Sequence, residues 1–326
     1  MHPCVSIDKT AQVYATEPNI RILITGTLAI DYVATYPRPF QSLPHHAGIN
    51  MSIHLDDIDR RFGGCAMNIA YNLRLLGHDV VPFVFVGRDY DDGYDEHLET
   101  LGIDRSGINR NDAEAFSSHA FIFTDPDGNQ FTGFYPGPAR SDDFEARLNA
   151  LLATHFEYAI VAPDVPANMI TAAQCMRAAD TPFLCDPGQG LTDFSAADCR
   201  ALVALSEHLI VNTYEHATLT RAAALDDLAT IVVTRGEEGS QWMGADVGAE
   251  RAVPVEHYCD PTGCGDAFRA GWVHATLSGA SLRDASRCGA TLATVNLESA
   301  GSQTHALHDL QSRYERDWSD SPDWLK

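Results

Sequence analysis

Lysine is almost missing from this chain: of 326 residues only Lys9 and Lys326 are lysines, so nearly all the positive charge is arginine. Positive charge of any kind is scarce, with 22 basic against 45 acidic residues and a formal charge of −23. Such a surface repels nucleic acid and anionic membranes at long range, which excludes a non-specific binder of either. A polyphosphate ligand would need a local electropositive device, such as a helix N-terminus or a bound cation. Long apolar runs are also absent. No stretch approaches the ~18 residues that cross a bilayer, and no charged start followed by an apolar segment marks a leader, so the expected location is cytoplasmic. The eight cysteines include no Cys-x-x-Cys pair. Several sit in apolar surroundings, as Cys185 does, and free buried thiols account for them better than disulfides or zinc.

What is present is alternation. Arg21–Gly26 is a short apolar run stopped by glycine, and similar runs recur at Val80–Val86, Glu157–Ala162, Pro182–Asp186, His208–Asn212 and Ala229–Thr234. Helical spacing fills the gaps at Met67–Leu76, Asp142–Ala153, Ala167–Ala178, Ser195–Leu205 and Tyr214–Ala224. Strands alternating with helices predict one α/β domain over residues 1–326: three layers, a doubly wound, mostly parallel sheet covered on both faces. Ligands of such sheets bind beyond the carboxyl ends of the strands. Residues 1–19 read as a flexible lead-in, and the tail from His305 as one helix and a polar end. Two stretches break the pattern. Pro37–Arg61 is rich in Pro, His and polar residues, with some alternation in Ile49–Leu55. Phe116–Tyr135 reads as a hairpin about Asp125-Pro-Asp-Gly-Asn129. Together, about 37–61 and 111–135 are expected to form a small β-sheet lid.

The most informative stretch is Asp260-Pro-Thr-Gly-Cys-Gly-Asp-Ala-Phe-Arg-Ala-Gly271. A strand-like run, Arg251–Val255, precedes it and a small-residue helix to about Leu277 follows. Gly263 and Gly265 allow a tight turn at a helix start, so the amides of Gly263, Cys264 and Gly265 can form an anion hole. Asp266, just inside, can accept a proton from a hydroxyl attacking a terminal phosphate.

This segment resembles the second signature of the ribokinase/phosphofructokinase-B kinases, Asp-Thr-x-Gly-x-Gly-Asp-x-Phe-x-x-Gly, with a proline at the second place. Gly63-Gly-Cys-Ala-Met-Asn68 resembles the first. The resemblance implies a ribokinase-like fold, a phosphotransferase with an alcohol acceptor, and ATP and Mg²⁺ as cofactors. By resemblance Asp31, Gly64 and Asn68 hold sugar hydroxyls. Asn212-Thr-Tyr-Glu215 matches an Asn-x-x-Glu motif that organises phosphates and Mg²⁺, through water at Glu215. Thr234, Gly236 and Gly239 match the nucleotide loop. Further details look closest to bacterial adenosine kinases of this family, implying phosphorylation of adenosine to AMP in purine salvage. Phe121 and Phe134 would sandwich the base, and Thr27, Ser52 and Gln189 would add hydrogen bonds. The same family offers precedent for a homodimer through the lid. A kinase of a plain sugar or another nucleoside shares all this chemistry. A non-catalytic sensor would be expected to have lost Asp266 or a signature glycine, and Gly26-Thr-Leu-Ala-Ile-Asp31 lacks the glycine pattern of a dinucleotide oxidoreductase. Cys264 stands where alanine or valine is usual, so its thiol is a candidate oxidation-sensitive position.

Overall fold

Six short apolar runs, each too short for a helix and flanked by amphipathic segments, fold into the central strands of a sheet buried on both sides. A computed structural model describes residues 20–43, 52–127, 129–138 and 142–325. The lead-in 1–19, with Cys4, and residues 44–51 of the expected lid lie outside them. In chain order the strands are β1 (Arg21–Thr25), β2 (Ala29–Thr35), β3 (Asp57–Gly63), β4 (Asp79–Val86), β5 (Ile108–Arg110), β6 (Ser118–Thr124), β7 (Gln130–Tyr135), β8 (Tyr158–Val161), β9 (Phe183–Cys185), β10 (His208–Asn212), β11 (Thr230–Thr234), β12 (Ser240–Gly244) and β13 (Gly248–Glu250). The helices are α1 (Cys65–Leu75), α2 (Tyr94–Leu101), α3 (Phe144–Leu152), α4 (Pro166–Ala178), α5 (Ala196–Leu205), α6 (Thr213–Ala222), α7 (Cys264–Leu277), α8 (Leu282–Leu297) and α9 (Leu310–Trp318).

The large sheet has the order β13-β12-β11-β10-β9-β8-β1-β4-β5. Strands from β5 to β11 run parallel, and β12 and β13 extend the edge antiparallel. Alternate residues divide between two cores. Ile22, Ile24, Val80 and Ile160 pack with α1, α7 and α8, while Leu23, Val81, Ala159 and Val161 pack with α3 to α6. Gly271 and Gly289 let α7 and α8 cross closely: a side chain at either would stand within 3 Å of the other helix's backbone.

A separate four-stranded sheet has the order β3-β2-β6-β7. The hairpin β6–β7 is closed by Asp125, whose Oδ1 accepts the amides of Asp127 and Asn129 at 3.0 and 2.9 Å. Three boundaries differ from expectation. From sequence Asp31 simply follows the first strand; in the structure it sits within β2. The alternation at Ile49–Leu55 is not a strand where it is described: Ser52–Leu55 carries no regular structure, and pairing with β2 starts at Asp57. Arg251–Val255 is irregular too, since Pro254 has no amide to give a ladder. Beyond α9 the tail is more than a polar end, because Leu325 is buried in the core.

The six described thiols at 65, 175, 185, 199, 264 and 288 are free. Cys259 is disulfide-bonded, contrary to the expectation of free thiols throughout; it lies half-exposed in the irregular segment before α7, not in the core. Among the described residues no helix is long and apolar enough to cross a membrane.

Candidate active site

The turn into α7 is shaped by side chains from three elements. Asp260 accepts the Thr262 amide at 2.9 Å and pairs with Arg61 of β3, tying the turn to the small sheet. Asn296 of α8 donates to the Thr262 carbonyl at 2.7 Å and approaches Cys264 Sγ at 3.5 Å. Gly263 is left-handed, φ 81°, and Ser302 fills the space its side chain would need. The first amides of α7 therefore stand at a fixed helix end, which favours negative charge. One correction applies: the Cys264 amide turns back to the Pro261 carbonyl at 3.3 Å, because the turn closes on itself, so it is not aimed outward as the glycine string suggests. Burial pushes the Cys264 thiol up to about 11. That shift disfavours the thiolate on which oxidation depends.

Asp266 is 9% exposed and accepts a hydrogen bond from Asn68 Nδ2 at 2.8 Å. The amide of Asn68 is oriented by its other end. Its Oδ1 accepts from Ser302 Oγ at 2.8 Å and from Gln303 Nε2 at 2.9 Å. Gln303 in turn meets Tyr94, whose hydroxyl donates to the Gly63 carbonyl at 2.7 Å. Burial raises Asp266 to about 6, against the pull of Arg269 and the Asn68 hydrogen bond, with Glu215 adding to the rise.

One turn along α7, Arg269 is buried among carboxylates. It forms a salt bridge with Asp186, including an Nη2–Oδ1 contact of 2.7 Å, and lies 4.0 Å from Glu215. Glu215 closes a capping box with Asn212: the Asn212 amide donates to it at 2.7 Å and the Asn212 side chain accepts the Glu215 amide at 2.9 Å. Asn212 ends β10 in register with Thr234 at the end of β11. Gly236 has φ 58° with open space beside it, whereas Gly239 is required where its loop crosses Glu250. Half-buried Cys65, the first residue of α1, lies in the field of Asp266, Asp186 and Arg269. The first turns of α1, α6 and α7, at Cys65, Glu215 and Asp266, thus lie about one group of three carboxylates and Arg269.

On the small-sheet side, Asp31 lies directly over Gly63, where any side chain would collide with its carboxylate. Gly64, φ 94°, is pressed against Ala29 and Thr27, each 2.5 Å from where a side chain would begin. Burial and the charge of Asp266 raise Asp31 to about 7, Arg61 opposing. Thr27, Asp31, Gly64, Asn68 and Asp266 are therefore brought together. Ser52 is exposed in the irregular stretch before β3, and no hydrogen bond among the described residues ties it to them. Gln189 lies in the 3-10 turn Gly188–Asp193, its side chain outside the described residues.

Phe121 and Phe134 do not face each other. Phe134 pairs with Ala120 and, through it, with Asp31; Phe121 pairs with Gly133 and Tyr32. Neighbouring rows of a sheet point to opposite faces, so only Phe134 shares the Asp31 face. Phe121 stacks on Tyr32 at 5.5 Å on the other. Arg61, Asp260, Asp186, Arg269, Ser302 and Gln303 are site residues that sequence reasoning left unassigned. Asp260 and Arg269 lie in the stretch already noted for its resemblance to the second signature.

A family model described as pfkB family carbohydrate kinase matches residues 21–309. A nucleoside kinase of Methanocaldococcus jannaschii is 29% identical over 299 residues, covering 87% of this chain and 93% of that one. The structure of Burkholderia thailandensis nucleoside kinase in complex with inosine is similar with a TM-score of 0.82 and 31% identity, covering 92% of this chain and 100% of that one. The same enzyme in its ADP–inosine complex gives a TM-score of 0.79 at 32% identity, covering 92% and 97%.

Proposed function

Because the chain belongs to the pfkB family of carbohydrate kinases, and so is a phosphotransferase with an alcohol acceptor, we propose that it transfers the γ-phosphoryl group of ATP to the 5′-hydroxyl of a nucleoside. The observation that carries this reading is the buried Asp266 at the start of α7, held by Asn68 beside Gly64 and Asp31. Asp31, Gly64 and Asn68 bind the ribose. Asp266, ionised above about pH 6, takes the proton of the 5′-hydroxyl as its oxygen attacks the γ-phosphorus. The bond to the bridging oxygen breaks and ADP leaves. Amides at the α7 start, Gly263 and Gly265 among them, face the charge that develops on the transferring group.

ATP lies along Thr234, Gly236 and Gly239, with Asn212 at its phosphates. A divalent cation bound with those phosphates supplies charge neutralisation. Both oxygens of Glu215 are taken by Asn212, at 2.7 and 2.8 Å, and among the described residues no three His, Cys, Asp or Glu side chains group as a metal site. With one hydrogen bond on each oxygen, Glu215 keeps a lone pair on each to accept from a cation-bound water, the water-mediated role that the resemblance implies. The four-stranded sheet acts as a lid that excludes water and limits ATP hydrolysis.

The relatives act on, or are bound to, nucleosides, and an aromatic face at Phe134 suits a base. Within that class the resemblance to bacterial adenosine kinases favours adenosine and a place in purine salvage. On the outer lid face Phe121, Phe131 and Tyr135 are exposed, and β7 is an unpaired edge. Both support a homodimer through the lid. The test of the reading is ADP release with adenosine, guanosine, inosine, cytidine, ribose and fructose as acceptors. The expected result is turnover with nucleosides, adenosine first. Turnover with ribose or fructose alone would replace the nucleoside by a plain sugar.

A further inference from the structure

A second polar pocket adjoins the ribose-side residues. Gly26 and Thr27 after β1, Phe85 of β4, Ser118 of β6, Pro136 after β7 and Asp164 after β8 line a cleft between the large sheet and the base of the small one. Thr27 links it to the first group, since its carbonyl abuts Gly64. A nucleoside with its ribose at Asp31, Gly64 and Asn68 would have Thr27 between its sugar and this cleft.

The cleft is rich in acceptors. Ser118 Oγ is already committed as a donor to the Pro136 carbonyl at 2.9 Å. Asp164 is the one ionisable side chain in the lining. Its Oδ1 accepts the Val165 amide at 2.6 Å and its Oδ2 accepts Asn168 Nδ2 at 3.0 Å. Each carboxylate oxygen takes two hydrogen bonds, so each keeps a lone pair. Those two contacts resemble a helix-start cap for α4, but a cap gains nothing from a carboxylate half withdrawn from solvent. Burial pushes Asp164 up to about 7 despite both hydrogen bonds, a cost that a solvated Ser or Asn would avoid.

Resting on the nucleoside reading, we propose that Asp164 determines base specificity: its free lone pairs accept N–H groups from the nucleobase edge, an exocyclic amine or a ring N–H, against the wall formed by Phe85. A site built to pair a ligand N–H discriminates against ligands lacking it, because the remaining lone pairs of the half-buried carboxylate are then desolvated without a partner.

The experiment compares kcat/KM for inosine against 1-methylinosine, and for adenosine against N6,N6-dimethyladenosine, in wild type, Asp164→Ala and Asp164→Asn. Wild type is expected to prefer the unmethylated member of at least one pair by on the order of 10- to 100-fold, and that ratio is expected to fall to within about threefold in Asp164→Ala. A role confined to capping α4 would lower the melting temperature and slow all four nucleosides alike, leaving the ratios unchanged. Unchanged ratios in a folded variant would overturn the inference. Should Asp164→Ala not fold, Asp164→Asn, which keeps the size and the cap, decides by the same ratios. Wild type that phosphorylates sugars but none of the four nucleosides would instead overturn the nucleoside reading, and this inference with it.

Discussion

Asp266 and His274 lie on the same helix, α7, and are 9% and 3% exposed. Burial favours the neutral form of each: Asp266 rises to about 6, and His274 falls to about 3. Their surroundings then separate them. At the N-terminal end, Arg269 and the Asn68 amide pull the carboxyl back towards ionisation near neutral pH. At the other end, His274 Nδ1 meets His78 Nε2 at 2.9 Å with Trp324 packed edge-on. Burial lowers His78 to about 4, so the pair stays neutral and structural. Desolvation alone makes no site; a site needs groups that partly offset it.

Asn68→Ala should break the comparison most severely. It removes the hydrogen bond that lowers Asp266 and leaves Ser302 and Gln303 without their acceptor. Phosphorylation rates should drop on the order of 100-fold, and the acid limb of the kcat/KM profile should move to higher pH. A profile that keeps its midpoint would show that Asn68 does not tune the base.

Stability against pH should separate the two ends next. His78 and His274 have folded-state values below the unfolded 6.5, so their contribution is present above pH 6.5 and is lost as pH falls towards 4. Asp266, raised from 3.8, works in the opposite sense: its contribution is present below pH 3.8 and is lost as pH rises through about 6. Replacing both rings by leucine should remove the first effect alone. Thermal melts from pH 7 to 5 should show the double variant gaining on wild type by about 2 kcal/mol per ring. Parallel curves would mean that the histidines titrate normally.

Least perturbing is the pair on the small sheet, which touches neither end of α7. Phe134→Ala should raise the nucleoside KM about tenfold through lost stacking and leave the ATP KM alone, with a smaller effect from Phe121→Ala. Equal effects would put both rings against the base.

The six central strands of the large sheet were plain in the sequence, because strands buried on both faces need uninterrupted apolar residues; the edge strands β5, β12 and β13, short and partly polar, were not. β2 was not plain, since Asp31 and Tyr32 interrupt its apolar pattern on account of what they face. The clustering of Gly64, Asn68 and Asp266 follows from two glycine-started helices. What pairs with them does not: Arg61 meets Asp260 and Arg269 meets Asp186 only through long-range packing. The faces of Phe121 and Phe134 could have been counted. A turn closed between Asp125 and Asn129 pairs Thr124 with Gln130, and stepping back along both strands puts the two rings in adjacent rows.

The proton acceptor itself is tested by Asp266→Asn, assayed for single-turnover phosphoryl transfer alongside calorimetric nucleoside binding. The account predicts a loss of at least ~10³-fold in transfer, with a nucleoside Kd within about threefold of wild type. Transfer close to the wild-type rate in a variant that binds normally would contradict it.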